Sequence, residues 1–256
     1  MSRTWAFGAL VLLLSSDLRA DVAPVASIRL EEEWAYRRFL DSEPSSTDKH
    51  YVASGFFVAN LRADIFPFSE QAGALHDFGF VGSYGRAFGL KSLEIDTIPP
   101  SEVSTTFYHF DAGLGYRVPS SSPLSLTLVA AYERWVFDFD AESPPRREVP
   151  TARYSLARAG TDARFAIGSL ALVGSAALLL PVSIASLGDR DPTGIGFGAR
   201  AKLGVAVDLF PMLAIDLGGT YTAVTFHLPS VPGRSDAQGT VLDQYLGASF
   251  GLTLKM

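Results

Sequence analysis

Residues 194–211 read GIGFGARAKLGVAVDLFP, and the pattern within them decides the fold. Ile195, Phe197, Ala199, Ala201, Leu203, Val205, Val207 and Leu209 are all apolar, while the positions between them carry glycines, Arg200, Lys202, Ala206 and Asp208. Alternation sustained over this length is the period of a β-strand. It leaves open which face is wet. A soluble sheet turns the apolar stripe toward a core and the charges toward water; a membrane barrel turns the stripe toward lipid and the charges toward a lumen.

Outward from this stretch, strand composition recurs at 27–39, 52–66, 78–88, 106–118, 124–137, 152–167, 170–184, 194–209, 213–226 and 241–255. These spans exceed the roughly 5–6 residues common in soluble domains and suffice for a tilted strand, which crosses hydrocarbon in about 9–11. The connections alternate in length. LDSEPSSTDKHY, LKSLEIDTIPPSEVS, DFDAESPPRREVP, ASLGDRDPT and HLPSVPGRSDAQGT are long, and PFSEQAGALH, PSSSP, GS and FPM between them are shorter. Short periplasmic turns and longer outer loops produce that rhythm. The expected fold is all-β, an antiparallel up-and-down transmembrane β-barrel of about ten strands, with eight or twelve as the alternatives.

The 256 residues suit one domain, and the absence of cysteine excludes disulfides and thiolate metal sites. A net charge of -6 gives no footprint for nucleic acid. At the N-terminus, Arg3 precedes the apolar run from Trp5 to Leu14, followed by Ser15, Ser16 and Ala20. That is the form of a secretory signal peptide over 1–20, too short for a spanning helix, which leaves 21–256 as the barrel.

Alternation assigns the two faces. Arg62, Asp64, His109, Asp111, Arg117, Glu133, Arg158, Asp162, Arg164, Arg200, Lys202 and Asp216 are expected toward the lumen, with Arg29, Glu31 and Glu33 beside them. Phe110, Leu114, Leu126, Leu128, Phe197, Leu203, Val205, Phe250, Leu252 and Leu254 are expected toward lipid. Tyr108, Tyr116 and Tyr132, with Phe66, Phe68 and Phe210 near turns, suit aromatic girdles. Two places resist the pattern. Glu32 falls on the apolar face of Ile28, Leu30, Trp34 and Tyr36, where a bulge or short helix would remove it from lipid; residues 170–184 are apolar on both faces and also fit a buried helix ending at Pro181. The mixed signs in a narrow bore predict a connected ion-pair network rather than the single-sign ring of a selective pore.

The final strand, DQYLGASFGLTLKM, ends at the chain terminus on alternating Leu246, Ala248, Phe250, Leu252, Leu254 and Met256. It resembles the C-terminal assembly signal of bacterial outer-membrane β-barrel proteins, although Met256 stands where that family usually carries an aromatic. The resemblance implies a monomeric protein of a Gram-negative outer membrane, with membrane lipid and the barrel assembly machinery as partners. It implies no activity. His50, His76, His109 and His227 lack metal-site spacing, GxGxxG does not occur, and no GxSxG elbow appears at a strand-to-helix turn, the GASFG of 247–251 lying inside the final strand, so no metal, cofactor or catalytic residue is expected. The leading expectation is a structural barrel or a narrow, weakly selective channel. Two alternatives stand beside it. The chain resembles the omptin proteases in strand number, which implies an outer-rim hydrolase drawing on Asp48, His50, Asp189, Asp191 and His227; and a soluble periplasmic β-barrel would bind a small apolar ligand with its stripes turned inward.

Overall fold

In the computed structural model, β1 (Ala26–Ser42) hydrogen-bonds to both β2 (Lys49–Ile65) and β11 (Gly239–Lys255), so the first and last strands close the sheet into a ring. The remaining strands are β3 (Phe78–Phe88), β4 (Lys91–Glu94), β5 (Ser101–Val118), β6 (Leu124–Phe139), β7 (Ala152–Ile167), β8 (Leu170–Ala185), β9 (Ile195–Phe210) and β10 (Leu213–Leu228). Every pairing is antiparallel and joins neighbours in the chain, apart from the closing seam and the pairs β3–β5 and β2–β4, which skip one strand. The structure describes residues 24–42, 49–69, 73, 75–94, 99, 101–120, 123–139, 152–185, 195–228 and 239–256.

Eleven strands make ten staves, because β3 and β4 are two pieces of one stave between β2 and β5. The break falls at Gly89, whose φ of 65° lies in the left-handed region, and Leu90 turns into the barrel beside it. The long third loop expected from 90–104 is thus a hairpin extension, with β4 paired to both β2 and β5. Residues 170–184 are strand, not helix. Pro181 is accommodated where the β7–β8 register slips, a position that tolerates the missing N–H.

The register also fixes the tilt. A rung followed from Ala26 through Ile65, Phe80, Leu114, Ala130, Ala159, Leu178, Ala199, Ala223 and Gln244 returns to β1 at Arg38, 12 residues further along. Such a stagger on ten staves requires strands inclined by about 40° to the barrel axis. Following the rung from β1 toward β2 therefore climbs from the short turns toward the long loops.

The stripe of the opening stretch faces outward: Phe197, Leu203 and Val205 are exposed, as are Leu114, Leu128, Phe250, Leu252 and Leu254, and Phe110 and Leu126 are half-buried on the same side. This is opposite to what a soluble ligand-binding barrel needs. The exposed apolar band circles the whole ring, far beyond the few hundred Å² that a soluble monomer tolerates in one patch. Outward aromatics bound it above, at Tyr36, Phe88 and Phe197, and below, at Phe78, Phe165 and Phe210. Phe66 corrects the girdle assignment. It is buried inside the base of the barrel, in a space kept open by Gly79 and Gly115, with the Arg117 guanidinium 3.5 Å from its ring centroid.

Candidate functional site in the barrel bore

The inner wall changes character along the axis. On β6 the inward residues pass from Thr127 and Glu133 to Trp135 and Phe137; on β10 they pass from Asp216 and Thr222 to Val224 and Phe226; β7, running the other way, passes from Tyr154 and Leu156 to Arg158, Asp162 and Arg164. The half near the short turns is charged, and the half near the long loops is apolar.

In the charged half all twelve lumen candidates point inward, and most are in ion pairs. Arg29 contacts Glu31 at 2.6 Å and also Asp216; Lys202 reaches the same Glu31 at 2.5 Å. Arg62 bridges Asp64 at 2.9 Å and, from across the bore, Asp162 at 2.6 Å. Arg158 holds Asp111 at 3.1 Å, with Ser83 donating to the same carboxylate. Arg200 holds the fully buried Glu133 at 2.5 Å, and the Trp135 indole N–H donates to that carboxylate too. Arg117 donates to the Pro24 carbonyl. His109 Nε2 lies 2.9 Å from Asn60 Oδ1, an acceptor, which makes Nε2 the donor. Among the described residues these contacts gather around Glu31, Arg62, Asp111 and Glu133.

Two further members of this half, Asp208 and Lys255, stand outside the expected set, although alternation already puts them on the charged faces of β9 and β11. Asp208 accepts from Arg164 at 2.5 Å and from Lys255 at 2.7 Å; both newcomers lie on inward positions of strands already assigned. With them, the described charges of this half number eight of each sign, from Arg29, Arg62, Arg117, Arg158, Arg164, Arg200, Lys202 and Lys255 against Glu31, Glu33, Asp64, Asp111, Glu133, Asp162, Asp208 and Asp216. A balanced wall of this kind attracts neither anions nor cations by its net charge.

The apolar half was not anticipated. Phe39, Phe137, Tyr154, Leu156, Leu179, Ile184, Val224, Phe226 and Val241 have essentially no exposure and form one cluster across the bore. Phe107 stacks on Phe137 at 4.2 Å between centroids, and Tyr154 lies 4.8 Å from Phe226. Inside this cluster sits one ion pair. Arg37 on β1 donates from Nε and Nη2 to the two oxygens of Asp243 on β11, at 2.9 and 2.8 Å; the Tyr154 and Tyr245 hydroxyls donate to Asp243 Oδ2, each at 3.0 Å. The Arg37 guanidinium lies 3.7 Å from the Phe137 ring centroid. Such a planar, stacked, bidentate pair suits arginine and not lysine.

Glycine makes room for one polar contact at the boundary of the halves. A Cβ on Gly85 would collide with Asn60 Oδ1 and His109 Nε2. Gly85→Ala is therefore expected to destabilise the barrel by about 1–3 kcal/mol through overpacking, read by urea unfolding in lipid vesicles. Gly219→Ala, on the outer wall with its nearest neighbour 3.6 Å from the new Cβ, should stay within about 0.5 kcal/mol.

The outer-rim set does not assemble among the described residues. His227 faces outward and pairs with Thr240 Oγ1 at 3.1 Å; Asp48, Asp189 and Asp191 lie outside the described residues, as does the His50 side chain. No cluster of metal-binding side chains occurs among the described residues.

No protein-family model matches the chain, and no curated protein matches it. Solved structures do. The outer membrane protease OmpT from Escherichia coli superposes with a TM-score of 0.61 over 90% of this chain and 96% of that one, at 9% identity. The chain has the fold of an outer-membrane β-barrel. At such identity the likeness is one of fold alone. The barrel is also similar to the translocator domain of the autotransporter NalP from Neisseria meningitidis (TM-score 0.40, 10% identity, 98% and 94% of the two chains) and to an outer membrane channel from Pseudomonas putida F1 (TM-score 0.40, 11% identity, 93% and 99%).

Proposed function

We propose that the protein is an integral barrel of a Gram-negative outer membrane, exported by a signal peptide over 1–20, and that it serves as a non-conducting structural element rather than as a channel or an enzyme. The membrane location is supported by the outward apolar band with its bounding aromatics. The structural role is carried by the apolar cluster in the outer half of the bore. A water-filled pore needs a wall that water can wet, and fully buried Phe137, Tyr154, Leu156 and Phe226 leave none at that level. Below it, opposite charges hold one another across the bore, so ions entering from the turn side meet a sealed vestibule.

Reconstitution into a planar lipid bilayer tests this. Insertion is expected without stepwise conductance in salt of either polarity; steady single-channel steps would restore the channel reading.

A further inference from the structure

Glu32 is the residue that the barrel reading leaves unexplained. β1 runs unbroken through it, and the only irregularity nearby lies beyond Ala35, where Gly55 is the extra residue of a bulge on β2 with φ 70°. The carboxylate therefore stays outward and exposed, between Leu30 and Trp34 in the apolar band. A lipid-facing charge near the middle of the band is costly, and an ionisable group at such depth calls for a partner.

The rung through Glu32 holds the answer. Glu32 pairs with Ala59 on β2, and Ala59 pairs with Arg86 on β3. A carboxylate and a guanidinium thus flank one alanine on the outer wall, two strands or about 10 Å apart. Both are exposed. Arg86 lies over Phe88, further along its own strand, with 5.9 Å to the ring centroid, rather than across Ala59 toward Glu32. Neither has an ion-pair partner among the described residues.

We propose that a second copy of this chain docks on the face of β1, β2 and β3, with Glu32 of each copy paired to Arg86 of the other. The inference rests on the membrane reading above. A two-fold axis along the membrane normal beside Ala59 sets each carboxylate on the same side as the other copy's guanidinium and, because the rung climbs at the strand tilt, about 6 Å below it, a gap that the long arginine side chain spans; the mutual pairing is the self-complementarity an isologous interface requires. Ala59 at the axis lets the two walls approach. Leu30, Trp34, Phe57, Leu61, Tyr84 and Phe88 surround the pair on the same face, so contact withdraws both charges from lipid behind an apolar rim.

The chain has no cysteine, so Ala59→Cys supplies a single thiol at the axis. In lipid vesicles a bis-maleimide spanning about 10 Å, the spacing of face-to-face sheets, is expected to convert this variant to a covalent dimer. Leu178→Cys, on the outer face of β8 across the barrel, should remain monomeric. Adding Glu32→Gln or Arg86→Gln to Ala59→Cys should abolish the dimer, and combining Glu32→Arg with Arg86→Glu should restore it, each variant first shown to be folded by its β-sheet circular dichroism. A folded, carbonate-resistant protein that fails to cross-link at Ala59→Cys, or cross-links equally with Glu32→Gln, overturns the dimer and leaves the membrane reading intact. Release of the protein by alkaline carbonate overturns both.

Discussion

Replacing Arg37 with Met is expected to destabilise the barrel by about 3–5 kcal/mol, the usual cost of leaving one member of a buried ion pair alone. Asp243 has no exposed surface, and Arg37 has almost none. Without the guanidinium the carboxylate retains only the hydroxyls of Tyr154 and Tyr245, which cannot neutralise a charge enclosed by Phe39, Phe107 and Phe137. Removing both charged groups, as Arg37→Met with Asp243→Leu, should cost much less, because desolvation of two charges offsets most of their attraction. Urea unfolding in vesicles, followed by the fluorescence of Trp135 4.7 Å from the Tyr245 ring, compares the two. A single-variant cost no greater than that of the double variant would mean that water reaches Asp243. Because the pair joins β1 to β11, the seam where the ring closes, the loss should also be visible as faster amide exchange in those two strands than in β6 and β7.

The same pair shows where the sequence stops being legible. The lipid-facing wall obeys a local rule: every second residue must be apolar, so 194–211 and the last strand announce it without knowledge of any neighbour. The charged half of the bore is readable for the same reason, since Arg200 and Lys202 stand out against Phe197 and Leu203. In the outer half the inward residues are apolar too. Along 134–137 and 152–157 alternation fades, and nothing local distinguishes a residue packed against the opposite wall from one facing lipid. Tyr154 and Asp243 are 89 positions apart, and Arg62 and Asp162 are 100 apart, so their pairing depends on closure of the ring and its stagger. Phe66 failed as a girdle residue because its site is a hole made by two distant glycines, Gly79 and Gly115, visible only once the register sets them beside it. The break at Gly89 was hidden in a stretch whose Pro, Ser and Asp content reads as loop; the short β4 owes its strand geometry to pairing with β2 and β5 rather than to its own composition.

Leu203→Arg is expected to cost about 2–4 kcal/mol, the price of a lipid-facing arginine near the bilayer midplane. Leu203 is the most exposed of the large outward side chains, and on β9 it stands six residues from Phe197 and seven from Phe210, the aromatics that bracket the band. On a soluble protein the same change would move an exposed apolar side chain toward better hydration and stay within about 0.5 kcal/mol of neutral. The sign and size of the effect in vesicle unfolding therefore report what covers this wall. The neighbouring position sharpens the contrast. Lys202 already carries a positive charge, and the barrel keeps it inward against Glu31 at 2.5 Å; Lys202→Met leaves that carboxylate with Arg29 at 2.6 Å, so its loss should be smaller than that of Arg37→Met. One residue along the strand separates a site that holds a cation from one that rejects it. Only an apolar medium outside, with paired charges inside, makes both demands at once.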